Sequence, residues 1–175
     1  MGPPASVEIA PYDPGWPARF ETEKVALLAI FETADVFVEH VGSTAVPGLG
    51  AKPIVDLMLG VDRLETVETH IPALADAGWQ YISEHETQLP ERRFFAKPPE
   101  RPRAFHLHAV ERGAHFWARH LLFRDHLRAH PEDAQAYEQL KRRLAARYGR
   151  DREGYTDAKT DFIDDTITRA RQGRS

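Results

Sequence analysis

Apolar residues in the first third of the chain follow a helical pattern and then two extended patterns. After Pro17, which suits the first turn of a helix, large apolar side chains recur on one helical face. They are Phe20, Leu27, Leu28 and Phe31. Residues 36–41 are rich in β-branched and aromatic side chains and residues 54–61 form a second apolar run, so both predict strands. Gly, Ser, Thr and Pro interrupt the pattern between them, which predicts a loop there.

The next segment predicts a short helical stretch and further strands. Asp62 and Glu65 resemble a capping box at the start of an apolar helical pattern. Pro72 is expected to kink this helix or to divide it into two short ones, and Gly78 is expected to end it. The strands that follow are predicted at residues 79–82, 92–96 and 104–110. Phe94 and Phe95 alternate across their strand, so one of them is free to line a pocket.

The remainder of the chain is predicted to be helical. One helix runs from residue 114 to about 130, a second opens at Pro131, and a last one covers about 156–171. The fold class is therefore α/β (α+β), a mixed sheet flanked by helices with a helical C-terminal part. The 175 residues suffice for a sizeable core and show no linker, so a single domain over 1–175 is predicted.

Composition narrows the range of partners. The formal charge of −4 and the pI near 6.1 argue against a general nucleic-acid or anionic-membrane surface, although a local basic cleft stays compatible with them. The sequence has no cysteine, no signal-peptide pattern and no apolar run that could span a bilayer. A cytoplasmic protein without membrane contact is expected.

The loop between the first two predicted strands carries the strongest chemical signal. Gly42 lets the backbone approach an anion, and Ser43 and Thr44 offer hydroxyl and N–H groups to phosphate oxygens. Lys52 adds a positive charge. Asp56 lies within an apolar strand, where a carboxylate needs a metal, a cation or hydrogen bonds. The alternative is an ordinary tight turn with a solvated serine and an aspartate at a strand edge.

Sequence blocks throughout the chain are similar to one family. They are EHVGSTAVPGLGAKPIVDL at 39–57, YDPGWPARFE upstream, and FRDHLRAHPEDAQAYEQLKRRLA and YTDAKTDFI downstream. They closely resemble the GrpB family, also called UPF0157. This resemblance implies a nucleotidyltransferase-like domain, which in the family also occurs fused to dephospho-CoA kinase. In that superfamily a Gly-Ser turn precedes an Asp-x-Asp pair, whereas this chain has Met58 at the second acidic position, which disfavours ordinary two-metal chemistry.

Two histidines form a second chemical group. His106 and His108 are two residues apart in a predicted strand and therefore share a face. The resemblance implies that this strand lies beside that of Asp56, which would make a mixed carboxylate and imidazole metal site, with Glu39 or His40 as additions. An exposed, hydrogen-bonded His pair is the alternative. The other histidines are expected at the surface or in packing; they are His70, His85, His115, His120, His126 and His130.

Basic residues in stretches that match the family are expected to clamp an anion. They are Arg93, Arg124 and Lys141, each of which is in the alternative a solvated surface charge. Tyr155 and Lys159 stand four apart at the start of the last helix and share a face. They either bind ligand or dock the helix, with Tyr155 buried and the Lys159 side chain extending to solvent.

The residues and the resemblance together lead to two hypotheses of function. In the first, the protein binds a nucleotide or another phosphorylated small molecule and transfers a nucleotidyl group. Ser43 and Asp56 are then the catalytic residues, and Mg²⁺, Mn²⁺ or Zn²⁺ sits on Asp56, His106 and His108. In the second, the same pocket senses a ligand or helps a protein partner to fold, without catalysis. The absence of a second carboxylate favours the second hypothesis.

Overall fold

The computed structural model describes residues 6–32 and 34–173, and these residues form a five-stranded mixed sheet and six α-helices. The predicted fold class is confirmed. In chain order the elements are α1 (Trp16–Ile30), β1 (Phe37–Val41), β2 (Val55–Val61), α2 (Leu64–Thr69), α3 (Ile71–Asp76), β3 (Gln80–Tyr81), β4 (Arg92–Lys97), β5 (Phe105–Glu111), α4 (His115–Ala129), α5 (Pro131–Tyr148) and α6 (Arg152–Gln172). Short 3₁₀ turns cover Ser43–Ala45 and Ser83–Thr87.

Local signals explain most boundaries, with two corrections. Pro72 divides the predicted helix into α2 and α3, as expected. The predicted capping box is wrong, because Arg63 and not Asp62 precedes α2 and no side chain caps it. The last helix begins earlier than predicted, since the Asp151 side chain accepts the N–H of Gly154 at 2.9 Å and caps α6 at Arg152.

Strand order fixes which residues become neighbours. The order is β1-β2-β5-β4-β3, in which β2 and β5 are parallel and the other pairs are antiparallel. In the β2–β5 register Asp56 lies opposite His106 and Met58 lies opposite His108. The two histidines and the aspartate are therefore on adjacent central strands, as the resemblance implied.

The alternation of side chains divides the sheet into an apolar face and a polar face. The apolar face carries Val55, Leu57, Leu59, Val61, Phe95, Leu107 and Ala109, all buried with α1, α2 and α3 in the largest core cluster. The opposite face, here called the polar face, carries Asp56, Met58, His106 and His108, because residues two apart in a strand point the same way. The chemistry of the sheet is thus confined to one side.

Helices α4, α5 and α6 lie on the side of the polar face. At Gly60 a Cβ atom would lie 2.6 Å from the Trp117 ring, so only glycine allows α4 to lie this close to the sheet. Contacts of Leu127, Ala134 and Tyr137 join the helices to the loop after β1. No helix in the part of the chain that the structure describes is long and apolar enough to cross a bilayer.

Candidate functional site

A cavity of about 420 Å³ lies between the polar face and the C-terminal helices. Its lining contains the cationic side chains Lys52, Arg92, Arg119, Lys141 and Lys159. Asp56 is its single carboxylate among the described residues. The whole chain, by contrast, has a net charge of −4. Positive charge is therefore concentrated in the cavity, where it favours an anionic ligand.

Most of the residues predicted for the site line this cavity. They are Gly42, Ser43, Thr44, Lys52, Asp56, His106, His108, Lys141, Tyr155 and Lys159. The turn after β1, the central strands β2 and β5, and helices α5 and α6 each supply part of the wall. The sequence thus predicted which segments meet, although their chemical roles stay predictions.

The turn after β1 requires glycine for two reasons. Gly42 has φ 75° and ψ −175°, a backbone conformation that is strained for any residue with a side chain. In addition, a Cβ atom at this position would lie 2.6 Å from Asp56 Oδ2. The first hydrogen bond of the 3₁₀ turn joins the Ala45 N–H to the Gly42 carbonyl at 3.1 Å, so the amides of Ser43 and Thr44 lie outside the turn's own bonds. The Thr44 hydroxyl lies 2.8 Å from His40 Nε2 and forms a hydrogen bond with it, so the role of Thr44 in ligand binding stays a prediction.

Gly42→Ala is expected to destabilise the fold by about 1–3 kcal/mol from backbone strain alone and to displace Asp56. Gly48→Ala is the matched control, because Gly48 also has a positive φ of 81° but no atom lies within 4 Å of its added Cβ. Urea unfolding gives the free energy of unfolding of both variants. The difference between their losses of stability measures the clash with Asp56 apart from the backbone strain that both share. Equal losses of stability would show that the close contact of Gly42 with Asp56 has no energetic consequence.

A chain of hydrogen bonds orients Asp56. His108 Nε2 lies 2.9 Å from Asp56 Oδ1, and His108 Nδ1 lies 3.2 Å from Arg92 Nη1. Since a guanidinium can only donate, Nδ1 is the acceptor and Nε2–H is the donor to the carboxylate. His106 Nδ1 lies 3.6 Å from the same carboxylate oxygen. His108 is therefore neutral, and Asp56 is held by groups that favour its charge.

Electrostatics agree with this assignment. Burial opposes ionisation of Asp56, but the imidazoles of His106 and His108 outweigh it and hold its pKa well below the ordinary value. Burial also lowers the pKa of His108, which keeps the ring neutral. The Asp56 side chain is 27% exposed and lines the cavity. An ionised carboxylate is thus presented to a ligand.

These contacts bear on the predicted metal site at Asp56, His106 and His108. An imidazole binds a metal through an unprotonated nitrogen, and both ring nitrogens of His108 are already in hydrogen bonds. Across residues 6–32 and 34–173, no group of three or more His, Cys, Asp and Glu side chains is arranged to hold a metal ion. The arrangement of Asp56, His106 and His108 therefore does not fit a metal centre with these three ligands. Whether ligand binding depends on a divalent metal stays a prediction.

Three lysines surround Tyr155 and Tyr137 on the opposite wall. Lys52 Nζ and Lys159 Nζ lie 5.2 Å and 4.5 Å from the centroid of the Tyr155 ring. Lys141 Nζ lies 5.0 Å from that of Tyr137 and donates to the Gly50 carbonyl at 2.6 Å. Within the described chain, none of these lysines forms an ion pair with a carboxylate. These three residues form the lysine cluster, which therefore has no directly paired carboxylate, although Asp56 attracts Lys52 and Lys159 across the cavity.

Burial and mutual repulsion weaken the charge of the lysine cluster. Burial, followed by repulsion from Lys159, lowers the pKa of Lys141 to about 7. Burial, followed by repulsion from Lys52, lowers the pKa of Lys159 to about 8. Burial is also the main cause of a lowered pKa for Lys52. A bound anion would reverse the effect by stabilising the ammonium forms.

Sulfate, which stays a dianion across this range, is expected to bind about tenfold more weakly at pH 9 than at pH 7, because Lys141 and Lys159 lose their protons between these values. The stability of the free protein should change in the opposite direction. Unfolded lysines keep their protons to about pH 10, so the unfolded state binds more protons and stability rises with pH. Sulfate titrations and urea unfolding at constant ionic strength measure both trends. Sulfate affinity that is constant or rises with pH would contradict this assignment.

Two predicted anion clamps lie elsewhere. Arg93 follows Arg92 in β4 and so points to the other face of the sheet, where its Nη2 lies 3.0 Å from Glu68. Arg124 donates to Glu39 Oε2 at 2.6 Å and also pairs with Asp125. Neither arginine lines the cavity. These two predictions are wrong in placement, since carboxylates already neutralise both guanidinium groups.

Several residues of the cavity wall were missed or assigned to packing. Arg92 and Phe94 share the polar face, and the Arg92 guanidinium lies 4.8 Å from the centroid of the Phe94 ring. Helix α4 adds Arg119 and His120, and His85 comes from the second 3₁₀ turn. The alternation of β4 could have shown that Arg92 accompanies Phe94. Nothing in the local sequence indicates that α4 lies across the sheet.

Taken together, the fold and the cavity define an α/β protein that encloses an ionised aspartate and a lysine cluster without a directly paired carboxylate. The sequence profile of the family described as GrpB protein matches residues 6–169. The chain belongs to the GrpB family.

Individual relatives agree with this assignment. A UPF0157 protein of Pseudomonas aeruginosa is 39% identical over 167 residues, which cover 94% of this chain and 67% of that protein. The UPF0157 protein YqkA of Bacillus subtilis is 35% identical over 176 residues, which cover 99% of this chain but 50% of YqkA. The crystal structure of the conserved protein GrpB from Enterococcus faecalis superposes with a TM-score of 0.84 at 33% identity, covering 95% of this chain and 99% of that one.

A more distant relative has a different description. A dephospho-CoA kinase of Mycolicibacterium paratuberculosis is 27% identical over 190 residues, which cover 95% of this chain and 46% of the kinase. A region similar to this chain is therefore part of a larger protein.

Proposed function

We propose that the cavity binds a nucleotide or another phosphorylated small molecule, with the phosphate on the lysine cluster and the amides of the Ser43 turn. The observation that carries the proposal is the lysine cluster itself. Three cationic side chains, of which Lys141 is buried and the other two are half-buried, are costly without a directly paired carboxylate unless a ligand supplies negative charge. A phosphate can accept hydrogen bonds from several ammonium and N–H groups at once.

Unpaired donors in the cavity wall support ligand binding. The Tyr155 hydroxyl and Arg92 Nε are buried and have no hydrogen-bond partner within the described residues. A buried donor without a partner costs about 1–3 kcal/mol. Both side chains belong to the cavity wall, so small shifts on ligand binding can satisfy them.

Nucleotidyl transfer is the catalytic form of this proposal. Asp56 is ionised and lies beside the turn that would hold the phosphate, where it can orient a hydroxyl of a second substrate or a divalent ion brought in with the nucleotide. Ser43, next to Gly42, is the other residue proposed to act on the phosphate. In this form of the proposal, the Ser43 amide binds the phosphate and the Asp56 carboxylate is the catalytic group.

A second candidate is a ligand-binding or partner-folding domain without catalysis. Met58, at the position of the second acidic residue, is fully buried against Val41, Val110 and Phe116. No carboxylate can be recruited there. A region of a dephospho-CoA kinase is similar to this chain, which further favours this candidate. Within a larger enzyme, such a domain can bind a ligand or help the rest of the chain to fold.

A thermal-shift screen tests the proposal. The ligands are sulfate, inorganic phosphate, nucleoside triphosphates and coenzyme A precursors, each with and without Mg²⁺, Mn²⁺ or Zn²⁺. A ligand at about 100 times its Kd stabilises the fold by about 2.7 kcal/mol, which gives a clear shift. Stabilisation by phosphorylated compounds and by sulfate supports the proposal. No shift with any anion would overturn it, and a shift without release of pyrophosphate from nucleotides would favour the second candidate.

A further inference from the structure

The cavity wall changes from cationic to apolar along α6. Tyr155 and Lys159 line the cavity near the start of this helix, and Ile163 and Ile167 line it one and two turns after Lys159. Residues four apart lie on the same side of a helix and about 6 Å apart along its axis. An apolar part of the wall therefore follows directly on the part that carries the lysine.

Phe123 of α4 completes the apolar part of the wall. Its side chain and that of Ile163 are half-buried, line the cavity, and pack on the buried cluster that contains Leu122 and Ile167. Phe123 and Ile163 are called the apolar patch below. Because both side chains are only half-buried, an apolar group of a ligand can cover the surface that they leave in the cavity.

Tyr137 lies between the apolar patch and the lysine cluster. The centroid of its ring lies 5.3 Å from that of Phe123, in an edge-to-face arrangement, and 5.0 Å from Lys141 Nζ. One aromatic side chain thus separates the two regions. The cavity volume of about 420 Å³ is typical of small-molecule sites, so the cavity has room for an organic group beside the phosphate.

The polar groups of the wall favour the same kind of ligand. A ligand rich in hydroxyl groups, such as a sugar phosphate, needs hydrogen-bond acceptors, which carboxylates and side-chain amides supply. Among the described residues that line the cavity, Asp56 is the single carboxylate, and none is Asn or Gln. Asp56 Oδ1 already accepts a hydrogen bond from His108 at 2.9 Å. A polyol would therefore find few acceptors in this cavity.

We infer that the phosphorylated ligand carries an apolar group of about the size of a ring, which lies on the apolar patch while the phosphate rests on the lysine cluster. This inference rests on the proposed function and narrows the ligand to phosphate esters with an apolar organic part. The apolar patch then determines specificity without binding the phosphate, so its residues affect one class of ester and not another.

Calorimetric titrations at about pH 7 compare phenyl phosphate, glycerol 3-phosphate and sulfate. Both esters are then largely dianions, because the second pKa of a phosphate monoester is about 6. Sulfate, also a dianion, reports the anion site alone. Phenyl phosphate is expected to bind at least about tenfold more tightly than glycerol 3-phosphate, because its ring leaves water for the apolar patch.

The variant Ile163→Thr tests the placement of the apolar group. The preference for phenyl phosphate should fall to at most about threefold, while sulfate affinity stays unchanged. Val25→Thr is the matched control, because Val25 is a β-branched side chain on α1, 67% exposed and outside the cavity. If Ile163→Thr loses its fold, Ile163→Val removes one methylene instead and should weaken phenyl phosphate alone by up to about fourfold.

The three anions separate failure of this inference from failure of the proposed function. Sulfate binding with equal affinities for the two esters would overturn the inference and leave the proposed function in place. A preference for phenyl phosphate that is unchanged in the Ile163 variants would also overturn the inference, because the apolar group would lie elsewhere. Absence of binding for all three anions would overturn the proposed function and the inference with it.

Discussion

Lys159→Met is expected to weaken sulfate binding about 10- to 100-fold, because a charge-assisted hydrogen bond of about 1.5–3 kcal/mol is lost from a desolvated site. Methionine keeps most of the side-chain volume and its packing on Tyr155. The lysine cluster would then hold two cations. Calorimetric titration of sulfate at about pH 7 measures the change.

Lys24→Met is the matched control for this result. Lys24 lies on α1, against the apolar face of the sheet, and its Nζ is 5.9 Å from the centroid of the Phe20 ring. The substitution removes the same charge from the whole protein without touching the cavity. Equal weakening in both variants would mean that net charge, and not the lysine cluster, determines anion binding.

Asp56→Asn is expected to remove any dependence of ATP binding on Mg²⁺ or Mn²⁺, while ATP still binds without a metal. The reason is that Asp56 is the single carboxylate among the described residues of the cavity. Asparagine keeps the shape and an acceptor oxygen for His108, so the fold should be preserved. ATP titrations with and without the ions give the ratio of affinities, which should fall to about one.

Unchanged metal dependence in Asp56→Asn would show that the metal site has been misplaced. A wild-type protein that binds ATP equally well with and without divalent ions would instead remove metal-dependent nucleotidyl transfer. The second candidate, ligand binding without catalysis, would then remain. Arg124→Met is a useful companion variant, since Arg124 pairs with Glu39 outside the cavity and should leave ATP binding unchanged.

The sequence predicted the elements well because local physics determines them. Pro72 cannot continue the helix that precedes it but suits the first turn of the next one, and the β-branched runs favour extended backbone. The boundary errors arose where two local signals competed. Asp62 had a capping-box pattern but lies one residue before the N-cap, whereas Asp151, which was not singled out, caps α6. The prediction of a single domain over the whole chain stays a prediction.

The site was predictable where residues are close in sequence or related by strand alternation. Gly42 and Asp56 flank one loop, and His106 and His108 share a face by periodicity. The misplaced arginines show the limit of this reasoning. Arg124 and Glu39 are 85 residues apart, so the ion pair that removes this guanidinium from the cavity depends on tertiary packing.

The hydrogen bonds of His108 were equally hidden from the sequence. A His-x-His pair indicates two imidazoles on one face but not what each nitrogen contacts. Only the antiparallel pairing of β4 with β5 brings Arg92 within 3.2 Å of Nδ1 and so fixes the tautomer. This contact changes the interpretation of His108 from a metal ligand to a donor that orients Asp56.

Proton uptake on anion binding tests the central claim most directly. Sulfate is titrated calorimetrically at about pH 8 in two buffers that differ in ionisation enthalpy, which counts the protons exchanged with the buffer. If the anion rests on the lysine cluster, the wild-type protein takes up protons from the buffer on binding, because Lys141 and Lys159 return to their ammonium forms, and Lys159→Met takes up fewer. Binding without proton uptake, or equal uptake in both proteins, would contradict the account.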